Sequence, residues 1–255
     1  MLDTKKIDPA RIKALALDLD GTVLRPDARF GERTLRVLRE CMDRGIGLIF
    51  CTGRSVEGAE LYRTALDIRG PMVYFNGAKV ALMPEGTLLD QSLLDKDIAN
   101  FCVDLSRKLG IYNQIYFPGA PDRPGDLLMA DRGTDETAFY LKHTGVQAVM
   151  GDLKEALAAP DCTGCLKSMF ITEPERQEAI RSRLTEQFGE RIYLARTYIS
   201  FLEVMSPQAS KGRGLKRAME HLALRPDEVI ALGDEENDLP LFAAAGFSAA
   251  PANAR

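Results

Sequence analysis

Short apolar runs alternate along the first part of the chain with longer stretches whose apolar residues recur at helical spacing. The runs at residues 12–19, 47–51 and 71–75 predict buried strands. Residues 32–44 and 56–67 lie between these runs and predict amphipathic helices. This strand–helix–strand order predicts βαβ units, and therefore a parallel sheet with helices packed on its faces.

The pattern changes in the middle of the chain. Residues 80–82 and 88–89 flank the turn sequence Pro84-Glu85-Gly86 and predict a hairpin. Beyond it, residues 95–109 and 175–188 predict helices. The strands predicted in this region are residues 115–117, 127–130, 166–172 and one or two strands within 191–204. This mixture predicts a separate α+β module inserted into the α/β core.

The core pattern returns at about residue 200. Its predicted elements are a helix at 211–222, a strand at 228–232, a helix at 239–245 and a short strand at 247–250. The chain therefore begins and ends with parallel α/β sequence.

Two acidic side chains end the first predicted strand. Asp18 and Asp20 are two residues apart, so they project from the same face of the strand where it enters a glycine turn. Ligands of open parallel sheets bind beyond the carboxyl ends of the strands. Two carboxylates so close repel each other unless a cation lies between them, and Mg²⁺ prefers oxygen ligands of this kind. A pair of surface acids in a turn is the alternative.

Three further predicted segment ends carry residues that suit a phosphate and its counter-ions. Asp234 follows a strand and can reach the same cation, and Asn237 can donate hydrogen bonds to an anion. Thr52-Gly53-Arg54 offers a hydroxyl and backbone N–H groups to phosphate oxygens. Both sequences are also compatible with ordinary helix N-caps. Lys211 opens a helix, where its charge opposes the macrodipole, and this indicates compensation of a nearby anion.

Together these motifs resemble a known family. They are Asp-Leu-Asp-Gly-Thr from Asp18, Thr-Gly-Arg from Thr52, Asn-Gly-Ala from Asn76, Ser-Lys-Gly from Ser210 and Gly-Asp-x-x-Asn-Asp from Gly233. Their order looks like that of the haloacid dehalogenase (HAD) superfamily, and is most similar to Cof-type phosphatases with a C2 cap. The resemblance implies a doubly wound, mostly parallel Rossmann-like sheet core with an inserted α+β cap domain. It places the core at residues 1–83 and 198–255 and the cap at residues 84–197.

The resemblance also implies a role for each motif residue. Asp18 is then the nucleophile that accepts the phosphoryl group as an aspartyl phosphate, and Asp20 is the general acid/base. The implied Mg²⁺ ligands are Asp18, Asp20 through its backbone carbonyl, and Asp234, with Asp238 in support. The implied phosphate-binding residues are Thr52, Gly53, Lys211 and Asn237. Arg54 and Asn76 are supporting residues with open roles, and Arg54 is equally compatible with a salt bridge at a helix start.

Two features depart from the family pattern. Glu235 stands where the family usually has a small residue, and its charge either points to solvent or weakens phosphate binding. Family members normally continue with another strand and helix beyond the position of Arg255. We therefore expect apolar surface or an open sheet edge after Phe247.

The net charge and the distribution of charged residues and cysteines argue against several classes of binding partner and location. Lys and Arg number 33 against 37 Asp and Glu, a net charge of −4, which argues against a broad basic surface for nucleic acid or anionic lipid. The longest uncharged run, residues 239–254, contains two prolines and a glycine and does not suit a membrane span. The charged first ten residues lack the apolar core of a signal peptide, and five scattered cysteines do not form a disulfide framework. We expect a cytoplasmic monomer or homodimer that acts on a small molecule.

The sequence therefore predicts a Mg²⁺-dependent phosphatase that hydrolyses a small phosphorylated metabolite, such as a sugar phosphate or a phosphorylated cofactor. One alternative is a phosphomutase or phosphotransferase with the same chemistry, which a requirement for a sugar bisphosphate would reveal. The other is a truncated HAD domain that binds phosphorylated ligands without turnover. Intact Asp18 and Asp20 argue against that last possibility.

Overall fold

The computed structural model describes residues 7–119 and 125–254, so the first six residues of the signal-peptide prediction lie outside it. The helices are α1 (Glu32–Asp43), α2 (Val56–Ala65), α3 (Lys96–Leu109), α4 (Asp135–Thr144), α5 (Leu153–Ala158), α6 (Pro174–Phe188), α7 (Lys211–Leu222) and α8 (Leu239–Ala244). The strands are β1 (Ala14–Leu17), β2 (Gly47–Phe50), β3 (Gly70–Tyr74), β4 (Lys79–Met83), β5 (Thr87–Gln91), β6 (Tyr112–Phe117), β7 (Leu127–Ala130), β8 (Ala148–Met150), β9 (Lys167–Ile171), β10 (Tyr193–Tyr198), β11 (Phe201–Met205), β12 (Val229–Leu232) and β13 (Phe247–Ala249). Within the described ranges, no helix combines the length and apolarity needed to cross a bilayer.

The chain divides into two compact units. The first contains the segments up to Arg54, Ala59–Gln91 and from Ala209 onward, and the second contains Ser55–Gly58 and Ser92–Gln208. These boundaries differ from the predicted divisions after residues 83 and 197. β5 pairs with β4 and therefore belongs to the first unit, whereas β11 pairs with β9 and β10 and therefore belongs to the second.

A parallel sheet lies at the centre of the first unit. Its strands run in the order β13-β12-β1-β2, and all three neighbouring pairs are parallel. A parallel bridge between Cys51 and Val73 joins β2 to β3, and β4 and β5 extend this side as an antiparallel hairpin. Helices alternate with the parallel strands along the chain, as in doubly wound folds. The predicted fold class is confirmed.

The helices of this unit bury the apolar faces of its sheet. One apolar cluster joins Ala16, Ile49 and Val73 of the central strands to Leu215 of α7 and Leu241 of α8. Because these strands are covered on their faces, they are almost continuously apolar instead of alternating. The same burial fixes the strand register, and with it the positions of the residues that follow each strand.

Two glycines allow α7 to pack unusually close to its neighbours. A Cβ atom on Gly214 would lie 2.4 Å from Cγ1 of Val73 in β3. A Cβ atom on Gly212 would lie 2.1 Å from the carbonyl oxygen of Pro240 in α8. Any side chain at either position would push the helix away. Backbone packing therefore sets the position of Lys211, the first residue of α7.

The second unit is built on a six-stranded sheet in the order β10-β11-β9-β6-β7-β8. All of its neighbouring pairs are antiparallel except β7 and β8. Helices α3, α5 and α6 contribute Ile98, Leu153 and Ile180 to an apolar core shared with Phe170 and Leu202 of the sheet. This arrangement agrees with the α+β texture predicted for the inserted module.

Candidate active site

The predicted motif residues of the first unit follow the ends of its parallel strands. Asp18 comes directly after β1. Thr52 and Asp234 each lie two residues beyond the end of a strand, β2 and β12 respectively. Because parallel strands end at the same edge of a sheet, the three loops converge there. Lys211 reaches the same place from the first turn of α7.

Three buried carboxylates form an acidic cluster at this edge. Asp18, Asp234 and Asp238 each offer an oxygen, and these oxygens lie within 4.8 Å of one another. Nζ of Lys211 donates to Oδ1 of Asp18 at 2.6 Å and to Oδ1 of Asp238 at 2.7 Å. With all four groups ionised, the acids outnumber the lysine by two charges. The donor set of hard oxygen ligands therefore fits a divalent cation such as Mg²⁺.

Burial disfavours the charged form of the carboxylates in this cluster. Burial raises the pKa of Asp18 to about 7, although the Lys211 ammonium acts in the opposite direction. Burial also raises the pKa of Asp234, whose carboxyl group is hydrogen-bonded to Thr22 and to Asp18. Burial alone would lower the pKa of Lys211, but Asp18 and Asp238 outweigh it and raise that pKa. The shifts of Asp18 and Asp234 both favour the protonated acids, and a bound cation would favour the carboxylates instead.

Thr22 and Gly21 fix the position of Asp234. The Thr22 hydroxyl donates to Oδ1 of Asp234 at 2.6 Å. Gly21 has a φ of +81°, and a Cβ atom built there would lie only 2.2 Å from Oδ2 of Asp234. The loop after β1 can therefore approach the carboxylate only with glycine at this position. Thr22 belongs to the first sequence motif, but its type alone gave no sign of this contact.

We expect Gly21→Ala to weaken Mg²⁺ binding by at least about tenfold, because the new methyl group displaces the Asp234 carboxylate. Substitutions of residues that position a metal ligand typically cost about this much affinity. Gly45→Ala is a matched control, since Gly45 has a φ of +79° but a Cβ atom there meets nothing within 4 Å. Both variants carry left-handed backbone strain of about 1–2 kcal/mol. Titration calorimetry with Mg²⁺ compares them, and equal affinities would contradict the proposed role of Asp234.

Asp238 holds the loop that carries Asp234. Its Oδ2 accepts hydrogen bonds from the backbone N–H groups of Asp234 at 2.9 Å and Glu235 at 3.2 Å. A Cβ atom on Gly233 would lie 2.4 Å from Cγ of Asp238, so the loop closes tightly around this carboxylate. The Glu235 side chain accepts from the backbone N–H of Asp238, which makes it the cap of the short turn 236–238. The unusual glutamate thus has a local structural partner.

The loop after β2 presents Thr52 in a fully buried position. Its Oγ1 accepts from the Arg54 backbone N–H at 3.1 Å, two residues on, which is a local turn contact. The N-cap interpretation of Thr52 is wrong, because α2 begins at Val56 and Ser55 caps it, with Oγ accepting from the Gly58 N–H at 3.0 Å. Because a hydroxyl group can accept and donate at the same time, the Thr52 hydroxyl can also donate a hydrogen bond to an acceptor. The backbone N–H groups of Asn76 and Phe75 donate to the carbonyls of Thr52 and Arg54 at 2.9 and 3.0 Å, which ties this loop to the turn after β3.

Asn76 connects three of the predicted loops. It is completely buried and adopts a left-handed conformation with a φ of 53°. Its Oδ1 accepts from Nδ2 of Asn237 at 3.0 Å. A Cβ atom on Gly53 would lie 3.1 Å from the same oxygen. Asn76 therefore orients the amide of Asn237 beside the Thr52-Gly53 loop.

Asp20 lies apart from the acidic cluster. Both of its carboxylate oxygens accept hydrogen bonds from Arg54, from Nε at 2.7 Å and from Nη2 at 2.7 Å. The side chain of Asp20 is 51% exposed, while that of Arg54 is 10% exposed. The salt bridge considered for Arg54 is thus present, and its partner is another motif residue.

Comparison with known proteins finds a family model, relatives and solved structures that are similar to this chain. A family model described as haloacid dehalogenase-like hydrolase matches residues 15–255. The chain is 28% identical over 249 residues to the Bacillus subtilis protein named 5-amino-6-(5-phospho-D-ribitylamino)uracil phosphatase YitU, covering 94% of this chain and 86% of that one. It is 28% identical over 235 residues to the HMP-PP phosphatase of an Enterobacter species, covering 91% and 80%. The crystal structure of TM0651 from Thermotoga maritima matches with a TM-score of 0.80 and 25% identity, over 96% of this chain and 88% of that one.

Proposed function

We propose that this chain, which belongs to the haloacid dehalogenase-like hydrolase family, is a phosphatase. In this proposal it depends on Mg²⁺ and acts on a small phosphorylated metabolite. The family match confirms the resemblance predicted from the motifs, and the matched relatives named above are phosphatases. The name of the Bacillus subtilis relative describes action on a small phosphorylated molecule. We infer a substrate of the same class, a sugar phosphate or a phosphorylated cofactor.

The observation that carries this proposal is the contact between Lys211 and the acidic cluster. An ammonium group lies 2.6 Å from Asp18, and Asp234 and Asp238 complete the set of buried charges. A purely structural ion pair would need one carboxylate for one lysine. The excess of acids indicates a site that is completed by a cation and a substrate phosphate.

In the proposed reaction, a carboxylate oxygen of Asp18 attacks the phosphorus atom and the bond from phosphorus to the leaving oxygen breaks. Asp20, when protonated, donates its proton to that oxygen as it leaves and becomes the carboxylate that pairs with Arg54. Asp20 then takes a proton from water, which attacks the aspartyl phosphate and releases inorganic phosphate with Asp18 restored. When bound, Mg²⁺ would be held by Asp18, Asp234 and the backbone carbonyl of Asp20, and would neutralise charge on the transferring phosphoryl group.

The other motif residues bind and orient the phosphoryl group in this proposal. Thr52 donates through its hydroxyl and Gly53 through its backbone N–H. Lys211 offsets the negative charge shared by Asp18 and the phosphate, and Asn237 donates through the amide that Asn76 orients. Phosphoryl transfer is catalysed mainly by positioning and charge neutralisation, and these residues supply both.

We expect EDTA to abolish phosphate release, and added Mg²⁺ to restore it, because the acidic cluster repels an anionic substrate unless a cation is bound. The measurement is release of inorganic phosphate from p-nitrophenyl phosphate before and after chelation. Activity that is unchanged after extensive chelation would contradict the proposed role of the cluster.

A panel of phosphorylated metabolites then tests the substrate class. The panel contains sugar phosphates, pyridoxal phosphate and flavin mononucleotide, and the readout is again inorganic phosphate. Isomerisation that depends on a sugar bisphosphate, without net phosphate release, would indicate a phosphomutase instead. Binding of several members without any turnover would indicate a ligand-binding domain and would refute the proposed activity.

A further inference from the structure

We propose that Tyr62 and Arg54 together form a support that orients Asp20 for proton transfer to the leaving group. The inference rests on the proposed function, because Asp20 is the acid/base of that reaction. It makes Tyr62, a residue outside every sequence motif, a positioning residue that acts on the chemistry through Arg54.

The two partners in the Asp20–Arg54 pair are held very differently. Half of the Asp20 side chain is exposed, whereas nine-tenths of the Arg54 side chain is buried. Two hydrogen bonds of 2.7 Å, one to each oxygen, hold the carboxylate against the guanidinium. The orientation of Asp20 therefore depends on what holds Arg54 in place.

Tyr62 is one of the groups that hold Arg54 in place. The guanidinium carbon of Arg54 lies 5.0 Å from the centre of the Tyr62 ring, a cation–π distance. The ring is 7% exposed and packs edge-on against Phe30, with centroids 5.7 Å apart. Its hydroxyl donates to the carbonyl oxygen of Ala28 at 2.9 Å. Burial raises the pKa of the Tyr62 phenol, which keeps its proton for this bond.

The same loop carries Asp20 and fixes Tyr62. Asp20 forms a bridge with Leu24, and Leu24 forms a second bridge with Phe30. The Tyr62 contacts to Ala28 and Phe30 therefore tie α2 to the segment that follows Asp20 directly. An exposed carboxylate paired with one isolated cation is a weakly ordered arrangement. Here the cation stacks on a ring that is itself anchored at two points, so the carboxylate is ordered as well.

The chemistry of the leaving group makes this inference testable. An alkoxide is a strong base and leaves only as it receives a proton, so hydrolysis of an alkyl phosphate depends on a well-oriented acid. p-Nitrophenolate is a weak base and leaves without that proton. Loss of orientation at Asp20 should therefore slow hydrolysis of an alkyl phosphate much more than hydrolysis of p-nitrophenyl phosphate.

The experiment compares kcat/KM for glycerol phosphate and for p-nitrophenyl phosphate in four variants and the full-length wild type. We expect Tyr62→Leu and Arg54→Lys to lower the value for glycerol phosphate by about tenfold more than that for p-nitrophenyl phosphate, since general acid catalysis contributes about 10²–10⁴-fold in all. Tyr62→Phe keeps the ring and its packing on Phe30 but loses the hydrogen bond to Ala28, so it should change the ratio much less than Tyr62→Leu does. Leu66→Ala, at a buried position just beyond α2, controls for a general loss of packing and should keep the wild-type ratio.

Equal losses on both substrates in Tyr62→Leu would overturn the proposal, and so would a changed ratio in Leu66→Ala. A crystal structure of Tyr62→Leu gives a readout that does not need activity. It should show the Asp20–Arg54 pair broken or displaced, and an unchanged pair would refute the support even in an inactive protein. Failure of the proposed function is a separate outcome, in which the wild type releases phosphate from neither substrate while the crystal structure still decides the role of Tyr62.

Discussion

Replacement of Asp18 by asparagine is expected to lower kcat for phosphate release by about 10⁴-fold or more, because the amide cannot form the phosphoenzyme. Asparagine keeps the size of the side chain and can still accept the hydrogen bond from Lys211. The fold should therefore remain intact while turnover disappears. The measurement is phosphate release from p-nitrophenyl phosphate, with Asp43→Asn at the exposed end of α1 as the control.

The stability of Asp18→Asn supplies an independent check with a defined sign. In the folded protein without metal, the pKa of Asp18 is raised from 3.8 to about 7. Stability from this group is therefore full below the ordinary pKa and is lost as the pH rises through the folded value. Asparagine has no such loss, so the variant should unfold at higher urea concentration than the wild type at about pH 8. The advantage should shrink as the pH falls, and the opposite trend would contradict the assignment of this pKa.

Lys211→Met is expected to reduce the free energy of unfolding by about 3–5 kcal/mol at neutral pH, since it leaves buried carboxylates without their cation. Asp18 and Asp238 both accept from this ammonium, at 2.6 and 2.7 Å. Activity should fall by about 10²-fold or more, because a charge aimed at the phosphoryl group is lost. Urea unfolding and phosphate release measure the two effects.

Lys216→Met provides the matched control for this prediction. Lys216 lies on the same helix but is exposed, so the same substitution should leave both stability and activity nearly unchanged. The double variant with Asp18→Asn should lose less stability than Lys211→Met alone, because one buried charge has been removed. Equal stability of the two lysine variants would refute the electrostatic account of the cluster.

The parallel core was predictable because its strands leave an unambiguous pattern. β1, β2 and β12 are covered on their faces, so each appears as a short apolar run, and a polar residue follows within two positions of its end. The helix predicted at residues 211–222 coincides with α7 (Lys211–Leu222). Since ligands bind where such strands end, the same pattern located Asp18, Thr52 and Asp234.

The contacts of Tyr62 and Thr22 could not be predicted in the same way. In the sequence, Tyr62 is one more apolar position of a helix, and its partner Ala28 lies 34 residues away. Thr22 looks like a turn residue, and its partner Asp234 lies 212 residues away. Such contacts depend on which loops lie next to each other in the folded protein. Residue type and spacing along the chain do not show which loops these are.

The middle of the chain was harder to predict for a different reason. Helix α4 (Asp135–Thr144) buries only Thr137 and Tyr140, so its apolar residues do not repeat at helical spacing. The six-residue helix α5 is too short to show a period. Neither helix was predicted. The unit boundaries were displaced because the pairing partners of β5 and β11 depend on sheet topology, which short apolar runs do not reveal.

The first unit is assembled from segments that lie before and after the second unit in the sequence. The second unit can therefore be complete during synthesis before the first unit is. Strand β1 pairs with β12, and the carboxylate of Asp18 needs Asp234 and Asp238 from the far end of the chain. Translation proceeds from the N-terminus. The described strands of the second unit all lie between residues 112 and 205, so they are synthesised before β12. A nascent chain can thus complete its inserted unit before the three carboxylates of the acidic cluster have come together, so the cluster forms only in the final part of synthesis.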